Sequence, residues 1–178
     1  MRKSTTVTCV LMLSASFLLI AGVYDTLPTE LPMSRIPFSG AATIAPRSVF
    51  TAFRVPFINL THWLMAAVML SHAADFADEG RRTSYRALFS TLLFAIAFKS
   101  DFEALEISGL AGQFARWATV GTVASVLGGV ALAFVRGRNV PMPWTELQVS
   151  MRDKILLVGL FVLYLAVVAA SLLVSHRV

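Results

Sequence analysis

A cluster of charged residues in an otherwise apolar stretch is the strongest chemical signal in this sequence. It consists of Lys99, Asp101, Glu103 and Glu106, and a clean apolar run ends just before it at Phe98. At about 100° per residue of a helix, Lys99, Glu103 and Glu106 share one face and Asp101 points away. This face predicts either a polar cavity or charges in the headgroup region beyond the end of the helix. In the cavity, Lys99 would pair with Glu103, and Glu106 would bind a cation, a proton or a basic group.

A second polar set belongs to the preceding apolar stretch, with Arg54 at its outer start and Asn59 and His62 within it. Asn59 and His62 are one helical turn apart, and hydrogen bonds to a neighbouring helix are their favoured interpretation. Arg54 can pair with Glu103 or Glu106, because all three are expected near the same membrane surface.

Metal binding and catalysis have little support in the sequence. His72 and Asp75 have the i, i+3 spacing that can place two ligands on one metal, but no matching His or Cys is evident on another helix, so interfacial hydrogen bonding is favoured. The single cysteine, Cys9, lies in the first apolar run and allows neither a disulfide nor a multi-cysteine metal site. We expect no catalytic residues, no metal and no cofactor, since no nucleophile, phosphate cradle or complete ligand set occurs.

Composition places the chain in a membrane. Of the 178 residues, 57% are hydrophobic and 14% are charged, whereas soluble domains are roughly 45–50% apolar and about 25% charged. The net charge of +5 could indicate nucleic-acid binding, but the basic residues form short clusters between apolar runs. That arrangement is typical of membrane topology signals. The predicted partner is therefore the lipid bilayer and not a nucleic acid.

The predicted fold is all-α, a polytopic transmembrane bundle of about five helices in a single domain. A hydrocarbon core of about 30 Å requires roughly 20 apolar residues per helix. Suitable runs cover residues 7–24, 56–74, 85–106, 117–135 and 155–174. The first is expected to be an uncleaved anchor, with a cleaved signal peptide as the alternative. Pro56 would stand in the first turn of the second helix, where its missing N–H costs nothing.

Orientation follows from the basic residues, which stay cytoplasmic in short loops. With five helices, nine of the 15 Lys and Arg residues fall on the N-terminal side, and six fall on the other. The nine are Arg2, Lys3, Arg81, Arg82, Arg86, Arg136, Arg138, Arg152 and Lys154. The sequence therefore predicts an internal N-terminus and an external C-terminus. The proline-rich loop of residues 25–55 would then lie outside and fold over the outer mouth of the bundle.

Small residues recur every four positions in the fourth helix, at Gly121, Ser125 and Gly129. Such a face lets a second helix approach closely. We expect this contact within the bundle, with a homo-oligomer as the alternative.

The segment that follows the first helix resembles the N-terminal domain of SdpI-type bacterial membrane proteins. In that family a first helix leads into an outer loop with two prolines, a glycine and a basic residue, and then into another helix. The matching residues are Leu27, Pro28, Pro32, Gly40 and Arg47, and the resemblance covers residues 7–74. This sequence departs from the family pattern just after the second proline, where a histidine is usual and Met33, Ser34 and Arg35 stand instead.

The resemblance implies a protein of the bacterial cytoplasmic membrane that provides immunity to a secreted toxin or signals to a membrane-bound regulator. It implies recognition of a peptide or protein partner by the outer loop and the charged mouth, without catalysis. A small ion or solute transporter that uses the charged third helix is the alternative from the residues. A membrane enzyme that uses His62, His72 or Glu103 as an acid or base ranks last.

Overall fold

The computed structural model describes residues 3–35, 42–76, 78–109, 115–137, 149–174 and 176–177. Over these ranges the chain forms five α-helices: α1 (Lys3–Val23), α2 (Val49–Ser71), α3 (Glu79–Ser108), α4 (Ala115–Gly137) and α5 (Met151–Val174). Two 3-10 turns, η1 (Tyr24–Thr26) and η2 (His72–Asp75), and three strands, β1 (Glu30–Arg35), β2 (Ala42–Pro46) and β3 (His176–Arg177), complete it. The predicted all-α bundle of five helices is confirmed.

Three segments of the described chain are long and apolar enough to cross a membrane, by length and composition. They are Thr6–Thr26, Val49–Ser71 and Met151–Val174. Large apolar side chains lie on their outer surfaces; Leu172 and Leu173 of α5, for example, are 71% and 86% exposed. Such a surface is stable against lipid and not against water. The chain is therefore a membrane protein.

The most polar helix, α3, lies at the centre of the bundle. It packs against α1, α2 and α4, whereas α5 packs mainly on α2. The central core joins α1, α2 and α3 through Cys9, Leu13, Trp63, Ala66, Leu70, Leu93 and Ala97. At 30 residues, α3 is about 45 Å long, which is enough to cross a bilayer.

Helix α2 begins at Val49, seven residues before the predicted start, so the prediction that Pro56 stands in its first turn is wrong. Ser48 explains the earlier start, because its Oγ accepts a hydrogen bond from the Thr51 N–H at 3.1 Å, and Thr51 Oγ1 accepts one from the Ser48 N–H at 2.8 Å. These two bonds form a capping box. Pro56 is buried inside the helix, a position that membrane helices tolerate.

Helix α3 is longer than predicted at both ends. The Asp78 carboxylate caps its start by accepting a hydrogen bond from the Arg81 N–H at 2.7 Å. Its last residue is Ser108, and Gly109 follows with a φ of +68°, the left-handed conformation that ends many helices. Lys99 and Glu106 therefore lie within the helix, and the alternative that α3 ends near Lys99 is wrong.

A β-hairpin, which the sequence did not predict, closes one end of the bundle. Strands β1 and β2 pair antiparallel, with an irregularity between Pro32 and Ser34. Pro32 lies in the edge strand β1, where strands accept proline. Leu27 and Leu31 are buried against the helix ends, in a cluster with Ile20, Ala52, Ala104 and Ile107. We call this the hairpin end of the bundle.

The chain returns to the hairpin end at its last described residues. Strand β3 pairs with β2, with Thr43 opposite Arg177 and Ile44 opposite His176. At the other end, which we call the opposite end, His72 Nε2 lies 3.4 Å from Asp153 Oδ2 of α5. Helix α5 therefore runs antiparallel to α2. The hairpin and the last residues of α5 therefore lie at the same end of the bundle. Which end faces the cytoplasm stays a prediction.

The small-residue face of α4 packs against α3. A Cβ atom built on Gly121 would lie 2.6 Å from the Phe102 ring, and one built on Gly129 would lie 2.5 Å from the Ala95 Cβ. Ser125 lines a groove between the same two helices. The prediction of a close contact within the bundle is confirmed.

Candidate functional site

Three polar side chains join α2 to α3 in a ring of hydrogen bonds, which we call the polar triad. Lys99 Nζ donates to Glu103 Oε2 at 2.6 Å and to Asn59 Oδ1 at 2.9 Å. Asn59 Nδ2 donates to the same Glu103 oxygen at 2.8 Å. The two α3 residues are one turn apart and face α2, which brings the amide between them.

The triad neutralises groups that would be costly at membrane depth. Asn59 is 0% exposed, while the side chains of Lys99 and Glu103 are 27% and 22% exposed. An unpaired charge inside a membrane costs several kcal/mol, and here the ammonium and the carboxylate compensate each other. Hydrogen bonds between membrane helices contribute about 0.6 to 1.7 kcal/mol each. The triad therefore fixes the rotation of α2 relative to α3.

Two further polar residues of α2 lie around the triad. The guanidinium of Arg54, which is 8% exposed, interacts electrostatically with Glu103. His62 lies within electrostatic range of Lys99 and Glu103, and its ring centroid is 4.8 Å from that of Tyr164. The triad region thus also reaches α5.

The other two members of the charged cluster, Asp101 and Glu106, take no part in the three hydrogen bonds of the triad. Asp101 faces away from α2, and its buried Oδ1 has no hydrogen-bond partner among the described residues. Glu106 is half-buried one turn beyond Glu103. The predicted face of three charged residues therefore contributes two members to the triad.

Arg47, one of the residues that carry the family resemblance, holds the hairpin on η1, the turn that follows α1. Its Nη1 donates to the carbonyl oxygens of Tyr24, Asp25 and Leu27 at 3.3, 2.9 and 2.6 Å. Its Cζ also lies 5.8 Å from the centroid of the Tyr24 ring. Arg47 thus supplies a donor to carbonyl groups at the end of η1, of which that of Tyr24 also accepts a hydrogen bond from the Leu27 N–H at 3.3 Å. Arg47 therefore has a structural role here.

The other resemblance residues divide between anchoring and surface positions. Leu27 is 3% exposed and belongs to the buried cluster at the hairpin end. Pro28 is exposed, and Pro32 stands in β1. Gly40 lies outside the described residues. Of the resemblance residues, Leu27 and Arg47 attach the hairpin to the helices.

Of His72 and Asp75, whose spacing could suit a metal, the structure describes the side chain of His72, and that of Asp75 lies outside the described residues. His72 approaches Asp153 of α5, whose Oδ2 also accepts a hydrogen bond from Ser150 Oγ at 2.6 Å. Within the described residues no group of three His, Cys, Asp or Glu side chains could hold a metal ion. His72 instead links η2 to the start of α5.

Sequence reasoning missed the contacts that depend on how the helices rotate. It named Asn59 and Glu103 without joining them, and it did not consider the buried bond from Ser100 Oγ to Ser16 Oγ at 2.9 Å. A polar residue at an otherwise apolar helix position was the available signal. It could show that a partner was needed, but not which partner.

Comparison of the chain with protein-family models, with curated proteins and with solved structures finds no match. The similarity to SdpI-type proteins therefore remains an expectation from the sequence.

Proposed function

We propose that this chain is a multi-pass protein of a bacterial cytoplasmic membrane that recognises a peptide or protein partner at its hairpin end, without catalysis. Toxin immunity and signalling to a membrane-bound regulator are the two roles that the resemblance implies. The observation that carries the proposal is the anchored hairpin, which presents a sheet at one end of the bundle.

Anchoring matters because a recognition surface binds more tightly when it is ordered before its partner arrives. Arg47 fixes the base of the hairpin to η1, and Leu31, which is 1% exposed, fixes β1 to the helix core. Strand β3 supports the far side of β2. The sheet of β1, β2 and β3 is then the surface proposed for contact, and residues 36–41 connect β1 to β2 in the sequence.

One pair of cysteine variants tests both the membrane side and the recognition. Gly40→Cys stands between β1 and β2, and Val140→Cys stands between α4 and α5. A membrane-impermeant maleimide should label position 40 in intact cells and position 140 only after lysis. The native Cys9 is 0% exposed and should give little background.

The same cysteines then carry a photo-crosslinker in membranes of cells that naturally produce the protein. We expect a defined adduct with one peptide or protein at position 40 and none at position 140. Labelling of position 140 in intact cells would overturn the orientation. Absence of an adduct at position 40 would overturn recognition by the hairpin.

Transport is the second candidate function, and the partial exposure of the triad favours it. Lys99 and Glu103 are each about a quarter exposed, so the protein leaves part of the pair uncovered, as a coupling site for an ion requires. Glu103→Gln keeps the size of the side chain and removes its charge. In proteoliposomes, an ion flux by the wild type that this variant loses would establish transport, and equal flux from both and from empty vesicles would exclude the triad as a coupling site.

A further inference from the structure

A cavity at the opposite end of the bundle combines one charged residue and two hydroxyl side chains, those of Thr6 and Ser71, with otherwise apolar walls. It has a volume of about 350 Å³ and lies between α1, α2 and α3. Arg86 lines it together with Trp63, Ala67, Leu70 and Leu93. Because Arg86 is exposed while Trp63, Leu70 and Leu93 are at most 7% exposed, the charge lies at the opening and the apolar side chains lie deeper.

Arg86 differs from its neighbour Arg82 in how its guanidinium is used. Arg82 pairs with Glu79 at 3.0 Å and donates to the Phe76 carbonyl at 2.8 Å, so it stabilises the start of α3. Within the described part of the chain, Arg86 forms no ion pair with an acidic side chain. It stands seven residues after the start of α3, about 10 Å along the helix. An anionic group from the membrane surface can reach it there.

We propose that this cavity binds the glycerol-phosphate region of an anionic phospholipid. The phosphate contacts Arg86, and the first carbons of one acyl chain lie against Trp63, Leu70 and Leu93. Basic pockets between membrane helices are known to hold lipid headgroups in this way. The site is independent of what the hairpin recognises, because the two lie at opposite ends of the bundle.

The size and lining of the cavity favour a lipid over a free phosphate ion. A volume of about 350 Å³ equals that of roughly twelve waters at about 30 Å³ each. This space accommodates glycerol phosphate and the start of one chain, while the remaining carbons stay in the bilayer. Inorganic phosphate would satisfy Arg86 but would leave the apolar wall without a contact.

Trp63 offers a direct probe of the site, because it lines the cavity wall. The full chain with Trp117→Phe and Trp144→Phe keeps Trp63 as its only tryptophan. This variant is reconstituted in phosphatidylcholine vesicles to which one of two brominated lipids is added, phosphatidylglycerol or phosphatidylcholine. Both carry the bromine near the glycerol end of the acyl chain. We expect half-maximal quenching of Trp63 at about fivefold lower mole fraction of the brominated anionic lipid, the preference that one basic residue provides.

Two arginine variants separate this site from the general charge of the surface. Arg86→Gln should abolish the preference for the anionic lipid. Arg81→Gln removes an exposed arginine from the same helix that does not line the cavity, and it should retain most of the preference. Ala67→Leu, which enlarges a wall residue, should weaken quenching by both lipids.

Three results would overturn the proposal. Equal quenching of the wild type by both brominated lipids would show that no anionic site exists. A preference that survives in Arg86→Gln would place the site elsewhere. Binding of inorganic phosphate to the protein in detergent that is lost in Arg86→Gln, without any preference for the brominated anionic lipid in vesicles, would show that the cavity takes a free phosphate ion, so the lipid would be the wrong ligand.

Discussion

Helix α3 is polar and lies at the centre of the bundle, whereas α5 is apolar and lies at its edge. Helix α3 contains the charged cluster that begins at Lys99, and it packs against three other helices. Helix α5 is apolar from Ile155 to Val174 apart from Tyr164 and Ser171, and it packs mainly on α2. Leu160 is the one buried side chain of α5 in the described part of the chain.

This contrast reverses the rule for soluble proteins. An apolar side chain gains little by leaving lipid for the protein interior, whereas a polar side chain in lipid must find a partner. The polar face of α3 is therefore turned toward Asn59 of α2, and the valines and leucines of α5 face outward. In this chain, low hydropathy identifies the central helix, and high hydropathy identifies a peripheral one.

The largest expected effect tests the polar contact of α3. Glu103→Leu removes the oxygen that Lys99 and Asn59 both contact, and it leaves the ammonium without its carboxylate. We expect the free energy of unfolding to fall by about 3 kcal/mol, as for other broken pairs of low exposure. Denaturation by sodium dodecyl sulfate, followed by circular dichroism, measures this change.

The matched control lies on α5. Leu163 is 49% exposed, so Leu163→Ala should change the free energy of unfolding by less than about 0.5 kcal/mol. The double variant Lys99→Leu with Glu103→Leu removes both charges together and should recover much of the loss. If Leu163→Ala and Glu103→Leu were equally destabilising, the contrast between the two helices would fail.

The helices of this fold could be predicted because each depends on a local run of apolar residues. The start of α2 could not be predicted in this way. Its first seven residues, 49–55, are helical because Ser48 caps the helix and because the helix accepts Pro56 in its interior. The hairpin was missed because prolines argue against strands. Pro32 occupies an edge strand and Pro46 ends β2, and these are places where a missing N–H breaks no ladder.

In the candidate site, too, contacts within one helix could be predicted from the sequence, and contacts between helices could not. The pairing of Lys99 with Glu103 follows from their spacing within one helix and is confirmed. The hydrogen bonds of Asn59 to Lys99 and Glu103 depend on how α2 is rotated relative to α3. The contact of His62 with Tyr164 likewise depends on the position of α5. No local pattern contains those angles, so the sequence identified residues that require partners without identifying the partners.

A smaller effect tests the other face of α3, where α4 packs. Gly129→Leu would place its Cβ within 2.5 Å of the Ala95 Cβ. We therefore expect it to lower the free energy of unfolding by about 2 kcal/mol through overpacking. Thermal denaturation in detergent, compared with the wild type, measures the loss.

Gly159 of α5 is exposed and has nothing within 4 Å of a built Cβ, so it supplies a matched control. Gly159→Leu should leave the melting temperature nearly unchanged, because the new side chain extends into the surrounding detergent. A large loss from Gly159→Leu alone would mean that the exposed face of α5 is covered by a second copy of the chain. Helix α5 would then lie at an interface between two copies of the chain, and its high hydropathy would no longer identify a helix that faces lipid.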